Sequence, residues 1–187
     1  MKWIREVLTL REVGMLITAC RRSFAGRRDR ALIYTQYRCV LRISEALALT
    51  PKDYKEEKCI LHVRNGKGGK SRVVHVPEDA RRILRDWLTY RGSIGDRKPI
   101  FCTPTGNGLH KCNVNKVYKR LAEKAGIDKR VHTHQLRYSG ASNMFRSGVR
   151  LDLIQGQLGH TKVTTTGIYL LELDPTERIN ELENSKW

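Results

Sequence analysis

Cys59-Ile60-Leu61-His62-Val63-Arg64-Asn65-Gly66-Lys67-Gly68-Gly69-Lys70-Ser71-Arg72-Val73-Val74-His75-Val76 is the stretch on which the fold class turns. Both of its ends are short runs rich in branched apolar residues, the composition of a strand. Between them lies Asn65-Gly66-Lys67-Gly68-Gly69-Lys70, glycine-rich and turn-forming, so the segment reads as a β-hairpin over about 59–76. Around it the apolar residues return to the spacing of helices.

On the N-terminal side, Leu10, Val13, Leu16, Ile17, Cys20 and Phe24 keep helical spacing. Thr9, with Glu12 three residues later, is the pattern of a capping box that opens this helix. Residues 29–41 are apolar on most sides and predict a central buried helix. A short helix is expected from about Arg42 to Leu49, stopped by Pro51. On the C-terminal side, Pro77 and Glu78 lead into a helix marked by Ala80, Ile83, Leu84, Trp87 and Leu88. A short strand is expected at Pro99–Cys102, then a turn over Thr103–Gly108. Val114, Val117, Tyr118, Leu121, Ala122 and Ala125 form an amphipathic stripe that Gly126 ends. Further helices are expected at about 134–147, 150–157 and 162–169. No repeat, low-complexity tract or linker divides the chain, so the expected fold class is α+β, mainly α-helical, with a small antiparallel sheet in one domain.

Charge narrows the partner. Among 187 residues, 36 Lys and Arg stand against 19 Asp and Glu, a net charge of +17. Such an excess favours nucleic acid ahead of an anionic membrane. No apolar run approaches the ~20 residues that a membrane span needs. The opening Met1-Lys2-Trp3-Ile4-Arg5-Glu6 carries charge too often for a signal-peptide core. Five cysteines (Cys20, Cys39, Cys59, Cys102, Cys112) are odd in number and include no CxxC pair, which disfavours a disulfide scaffold or a zinc finger. The expectation is a reduced, intracellular protein that faces DNA or RNA.

Four segments carry residues suited to phosphate chemistry. Arg42 and Glu45, three apart, would by themselves be a surface salt bridge. Lys67 and Lys70 sit in the glycine turn, which by itself is a solvated hairpin tip and lacks the spacing of a P-loop. His134 and Arg137 share a helix face and can reach one anion together, with His132 close by. Leu158-Gly159-His160 is followed nine residues later by Tyr169, which alone would be a core or interface tyrosine.

Taken in order, these segments resemble the catalytic domain of the tyrosine recombinases, the phage integrase family. The matching strings are Leu41-Arg42-Ile43-Ser44-Glu45-Ala46-Leu47, Asn65-Gly66-Lys67-Gly68-Gly69-Lys70-Ser71-Arg72, His134-Gln135-Leu136-Arg137, Leu158-Gly159-His160 and Thr165-Thr166-Gly167-Ile168-Tyr169. Each string is weak alone; five in order are highly specific, and they cover about residues 9–171. The resemblance implies that Arg42 and Arg137 clamp a phosphate, that Lys67 is the hairpin lysine, that His134 and His160 are the paired histidines, and that Tyr169 is the nucleophile. Two positions depart from the family pattern. Tyr138 stands where many members have a second histidine, outside the catalytic set. Val40 replaces a glycine common two residues before the first arginine, a change expected to affect local packing only. Members also commonly carry a helical DNA-clamping domain ahead of this one. Here residues 1–8 read as a short basic arm, as in an isolated catalytic domain or a recombinase without the clamp.

What the resemblance implies chemically is transesterification without ATP. Tyrosine attacks a DNA phosphodiester, a 3′-phosphotyrosine bond forms and the 5′-hydroxyl leaves. Two permanently charged guanidinium groups suit the negative charge that builds on the non-bridging oxygens, and His160 adds a donor. Lys67 would protonate the leaving oxygen, and His134 would act as base or positioning group. No cofactor or metal is required. Expected partners are double-stranded DNA and further copies of the chain, as a dimer or tetramer on DNA, in the cytoplasm of a prokaryote or of the host of a virus or mobile element. Candidate DNA contacts are Lys70, Arg72, Arg21, Arg22, Arg27 and Arg28. Residues 172–187 are expected to form a tail that either packs on its own domain or docks on a neighbouring subunit. Competing readings are a type IB topoisomerase-like enzyme and a non-catalytic nucleic-acid-binding module of the same fold.

Overall fold

The computed structural model describes residues 6–64 and 71–159. Seven α-helices are found among them: α1 Leu10–Ala19, α2 Phe24–Arg38, α3 Ile43–Ala48, α4 Glu78–Arg91, α5 Lys111–Lys124, α6 Thr133–Arg146 and α7 Leu151–Leu158. Three strands, β1 Tyr54–Lys55, β2 Ile60–Val63 and β3 Arg72–His75, form an antiparallel sheet in the order β1-β2-β3. The helical majority and the hairpin agree with the sequence. The third strand, β1, follows a single 3₁₀ turn at Pro51–Asp53 and pairs Tyr54 with Leu61.

The helix boundaries near the start differ from the apolar stripe. Thr9 caps α1 as expected: its backbone N–H donates to Glu12 Oε2 at 2.8 Å and its Oγ1 accepts from the Glu12 N–H at 3.2 Å. The stripe nevertheless runs across two helices, because Cys20 is extended and Ser23 starts a new one, its Oγ accepting from the Gly26 N–H. The short strand expected at Pro99–Cys102 is not formed. Cys102 makes only an isolated bridge to Gly108, and the Ile100 N–H donates to the Leu49 carbonyl at 2.7 Å. The expected helix at 162–169 lies outside the described residues, as does the tail.

α2 is the central element, as its apolar composition predicts, and packs against α1, α4 and α6. Leu32, Ile33, Leu16, Leu84, Trp87, Phe101 and Leu136 are buried in the main core, and the Trp87 indole N–H donates to the Ile100 carbonyl. Leu8, assigned from sequence to the arm, belongs to this core. It is fully buried, its N–H donates to Ser139 Oγ at 2.8 Å and its carbonyl accepts from Asn143. A smaller cluster of Val40, Ala141, Ile154 and Leu158 fastens α6 and α7 to the end of α2.

That end of α2 aims the chain at the site. Val40 has φ +46°, so the helix stops in a left-handed residue, with the Leu41 N–H on the Gln36 carbonyl and the Val40 N–H on the Tyr37 carbonyl. This is the geometry that glycine normally supplies, and a branched residue there is strained by roughly 1–2 kcal/mol. The Val40 substitution therefore acts on the backbone as well as on packing. The strain persists because the Val40 side chain is fully buried in the smaller cluster. Opposite it, Gly140 has no room for a Cβ, which would strike the Tyr37 carbonyl oxygen and come within 2.9 Å of Val40 Cγ1. Val40 and Gly140 thus fit each other, and α6 lies close against the last turn of α2.

Candidate active site

Two residues after Val40, Arg42 is extended (φ −65°, ψ 145°) and α3 begins. Glu45, in the first turn of α3, reaches back to accept the Arg42 N–H on Oε2 at 2.8 Å, the second half of a capping box. In sequence this pair looks like a surface salt bridge. In the fold Glu45 is only 4% exposed and is a hub for arginines. Arg42 Nη1 donates to Oε1 at 2.8 Å. Arg72 grips both oxygens, Nη1 to Oε1 at 2.8 Å and Nη2 to Oε2 at 2.9 Å. Arg137 Nη1 lies 3.5 Å from Oε2. Burial by itself would raise the Glu45 pKa; the hydrogen bonds from Arg72 and Arg42, with the Arg72 charge, outweigh it and hold the carboxyl at about 2.

Arg137, on α6, is 4% exposed and is aimed by two carbonyls: Nη1 donates to Val40 at 2.7 Å and Nη2 to Leu158 at 2.8 Å. The left-handed turn at Val40 is what directs that carbonyl to the arginine. One turn earlier, His134 is exposed at the start of α6. His132 is the N-cap of this helix, its Nδ1 accepting from the Gln135 N–H. Arg42, Ile43, Ser44, Lys111, Thr133, His134 and Arg137 line a cleft of about 70 Å³. Lys111, Thr133 and His134 also line a groove of about 890 Å³ bordered by Lys116, Lys119, Lys129 and Arg130. Two guanidinium groups, an imidazole and an ammonium therefore converge on one small concave surface, a setting suited to a phosphate.

Gln36 fixes the spacing between the walls of this cleft. Its Nε2 donates to the carbonyls of Leu41 and Thr133, and its Oε1 accepts from the Tyr118 hydroxyl at 2.9 Å. The Thr133 N–H donates to Asn115 Oδ1 at 3.0 Å. Gln36, Asn115 and Lys111 were not singled out in the sequence. A glutamine within the apolar helix 29–41 was the signal available for the first, since a buried amide needs partners.

Of the residues assigned from sequence, the structure brings Arg42, His134 and Arg137 to one cleft. Lys67, Lys70, His160 and Tyr169 lie outside the described residues. Two candidate DNA contacts have other partners. Arg28 is 8% exposed, held by Asp29 Oδ1 at 2.7 Å and pointed at the Cys102 carbonyl. Arg72 is engaged with Glu45 and, through Nε, with the Gln157 carbonyl at 3.1 Å. Both guanidinium groups are thus engaged with buried carboxylates, Arg72 through both of its terminal nitrogens. Arg21, Arg22 and Arg27 are exposed, and the Arg27 guanidinium stacks 4.4 Å from the Tyr90 ring centre.

Comparison with known proteins bears on the family and the fold. The model of the Phage integrase family matches residues 6–174. Tyrosine recombinase XerD of Corynebacterium glutamicum is 34% identical, the alignment covering 88% of this chain and 56% of that protein. Tyrosine recombinase XerA of Pyrococcus furiosus is also 34% identical, over 98% of this chain and 65% of its own length. The chain thus spans somewhat more than half the length of these curated relatives. Among solved structures, the crystal structure of XerA recombinase superposes with a TM-score of 0.83 at 27% identity, over 97% of this chain and 66% of that one. XerH site-specific recombinase bound to palindromic difH substrate gives 0.76 at 25% identity, over 98% and 54%. With the family model matched over most of the chain and relatives at 34% identity, the chain belongs to the phage integrase family of tyrosine recombinases.

Proposed function

We propose that this chain is the catalytic part of a site-specific DNA recombinase that cuts and rejoins strands by transesterification. The observation that carries this reading is the cleft in which Arg42 and Arg137, remote in sequence, meet His134 around the buried Glu45. In the proposed reaction the Tyr169 oxygen attacks phosphorus, a 3′-phosphotyrosine bond forms and the 5′-oxygen departs with a proton from Lys67. The attacking hydroxyl loses its proton, with His134 as base or positioning group. Arg42, Arg137 and His160 stabilise the charge on the non-bridging oxygens. The phosphodiester energy stays in the phosphotyrosine, so the reverse attack by a 5′-hydroxyl rejoins the strand without ATP.

The proposed partner is double-stranded DNA, in keeping with the net charge of +17 and the lysine-bordered groove. XerH is recorded on a palindromic substrate. A two-fold site of that kind supports action here by two or more copies, within the cytoplasm where such DNA lies. The test is covalent capture on a nicked suicide duplex. The unaltered chain should give an adduct that survives denaturation, and Tyr169→Phe should abolish it with DNA affinity nearly unchanged. An adduct that persists in the Phe variant would refute Tyr169 as the nucleophile; Tyr138, 4% exposed on α6, is the tyrosine to test next.

A further inference from the structure

Three guanidinium groups crowd one carboxylate, and only two of them line the cleft. Arg42 and Arg137 do; Arg72 does not. Arg72 comes from β3, closes both oxygens of Glu45 in a fork and donates from Nε to the Gln157 carbonyl near the end of α7. Its side chain is 12% exposed. The following segment is shaped around it. Gly159 is left-handed (φ +66°), and a Cβ there would come within 2.7 Å of Arg72 Cδ. Gln157 completes the junction, donating to the His75 carbonyl and accepting the His75 N–H along the β3 edge. β3, α3 and α7 therefore meet on one guanidinium.

The electrostatic consequence follows from counting charges. A buried carboxylate must be compensated, and without Arg72 the compensating groups would be Arg42 and Arg137. Each would then turn toward Glu45 and present less positive potential to a phosphate. With Arg72 in its fork, Glu45 is already neutralised. Arg42 keeps one Nη on Oε1, and its Nε and Nη2 have no partner among the described residues. Arg137 donates to two backbone carbonyls, and its Nη1 lies 3.5 Å from Glu45 Oε2.

We infer that Arg72 is a positioning residue for the reaction: it holds Glu45 so that Arg42 and Arg137 keep their charge directed into the cleft. This rests on the strand-cleavage reading above, and the experiment separates the two.

The assay is single-turnover adduct formation by the full chain, in preformed complexes, on two duplexes. One carries an ordinary scissile phosphate and the other a methylphosphonate, which lacks the negative non-bridging oxygen. Arg72→Gln should slow the ordinary substrate by ~10²-fold, the scale of losing a preorganised charge stabiliser. On the methylphosphonate the loss should be under about tenfold, since its transition state carries one negative charge fewer. Arg72→Lys keeps the charge but not the fork and should fall between Gln and the unaltered chain, with the same ordering of substrates. DNA affinity and its salt dependence should be unchanged for both variants. Equal slowing on the two substrates would reduce Arg72 to a structural brace and overturn the inference. Weaker binding with a salt slope lower by about one would make it a phosphate contact instead, which also overturns it. If the unaltered chain forms no adduct on either duplex, the strand-cleavage reading fails and the inference falls with it.

Discussion

Glu45→Gln tests the arginine hub through stability rather than rate. The Glu45 carboxyl is held at about 2 in the fold against an ordinary 4.5. Its folded value is lowered, so its ionisation adds stability above the unfolded value, and that stability is lost as pH falls through the folded one. At pH 7 the gap corresponds to roughly 3 kcal/mol, and at pH 3 to roughly 1 kcal/mol. The side chain is almost fully buried, so bulk screening reduces this little. Glutamine keeps the shape and one acceptor but places an NH₂ among guanidinium donors, adding a cost that does not depend on pH. The prediction therefore concerns the change with pH: the difference between the unaltered chain and Glu45→Gln should shrink by about 2 kcal/mol from pH 7 to pH 3. Other carboxyls lowered by their neighbours, such as Glu12, Asp53 and Asp79, titrate in both proteins and cancel. Urea unfolding followed by circular dichroism measures the difference, with equal slopes against denaturant as the control. A difference of the same size at both pH values would refute the claim that the arginines keep Glu45 ionised. A difference that widens in acid would reverse its sign.

Gly140→Ala should destabilise by at least about 2 kcal/mol, because the new methyl meets the Tyr37 backbone rather than a movable side chain; a thermal midpoint within a degree of the unaltered chain would contradict the close approach of α6 to α2. Tyr118→Phe should cost about 1–3 kcal/mol in chemical denaturation by leaving the buried Gln36 Oε1 without its donor; no loss would show that Gln36 does not depend on it. Lys67→Ala should cleave ordinary DNA slowly and recover on a substrate whose bridging 5′-oxygen is sulfur, since a thiolate (conjugate acid ~8.5) departs without a proton. Lys70→Ala should weaken binding alike on both substrates; selective rescue of Lys70→Ala would move the acid three residues along the turn.

Much of the fold was legible because its signals are local. The Thr9–Glu12 capping box, the hairpin around 59–76 and the Val114–Ala125 stripe all require only neighbours in sequence. What could not be read depended on distant partners. The stripe from Leu10 to Phe24 has one period through two helices, because a core can accept residues from both sides of a break. Pro99–Cys102 has the composition of a strand, but Ile100 reaches a helix-end carbonyl at Leu49, and among the described residues Cys102 makes only an isolated bridge. Arg42, His134 and Arg137 were found by motif order. The direction of Arg72 and Arg28 was hidden, since an arginine facing a buried carboxylate and one facing solvent look alike in sequence.

Local rules fail most clearly beside the site. Val40 takes a conformation its side chain resists, and three arginines share one buried carboxylate. Each is unfavourable alone, and each aims a group at the cleft: the Val40 carbonyl orients Arg137, and Glu45 gathers Arg42 while capping α3. The cost is offset nearby, by burial of Val40 with Ala141, Ile154 and Leu158 and by the Arg72 fork. Stability and the geometry of the clamp are therefore coupled through the same few residues. A change at Val40 that relaxed the backbone would also redirect the carbonyl that holds Arg137, so relief of strain at this turn should weaken the clamp even where it strengthens the fold.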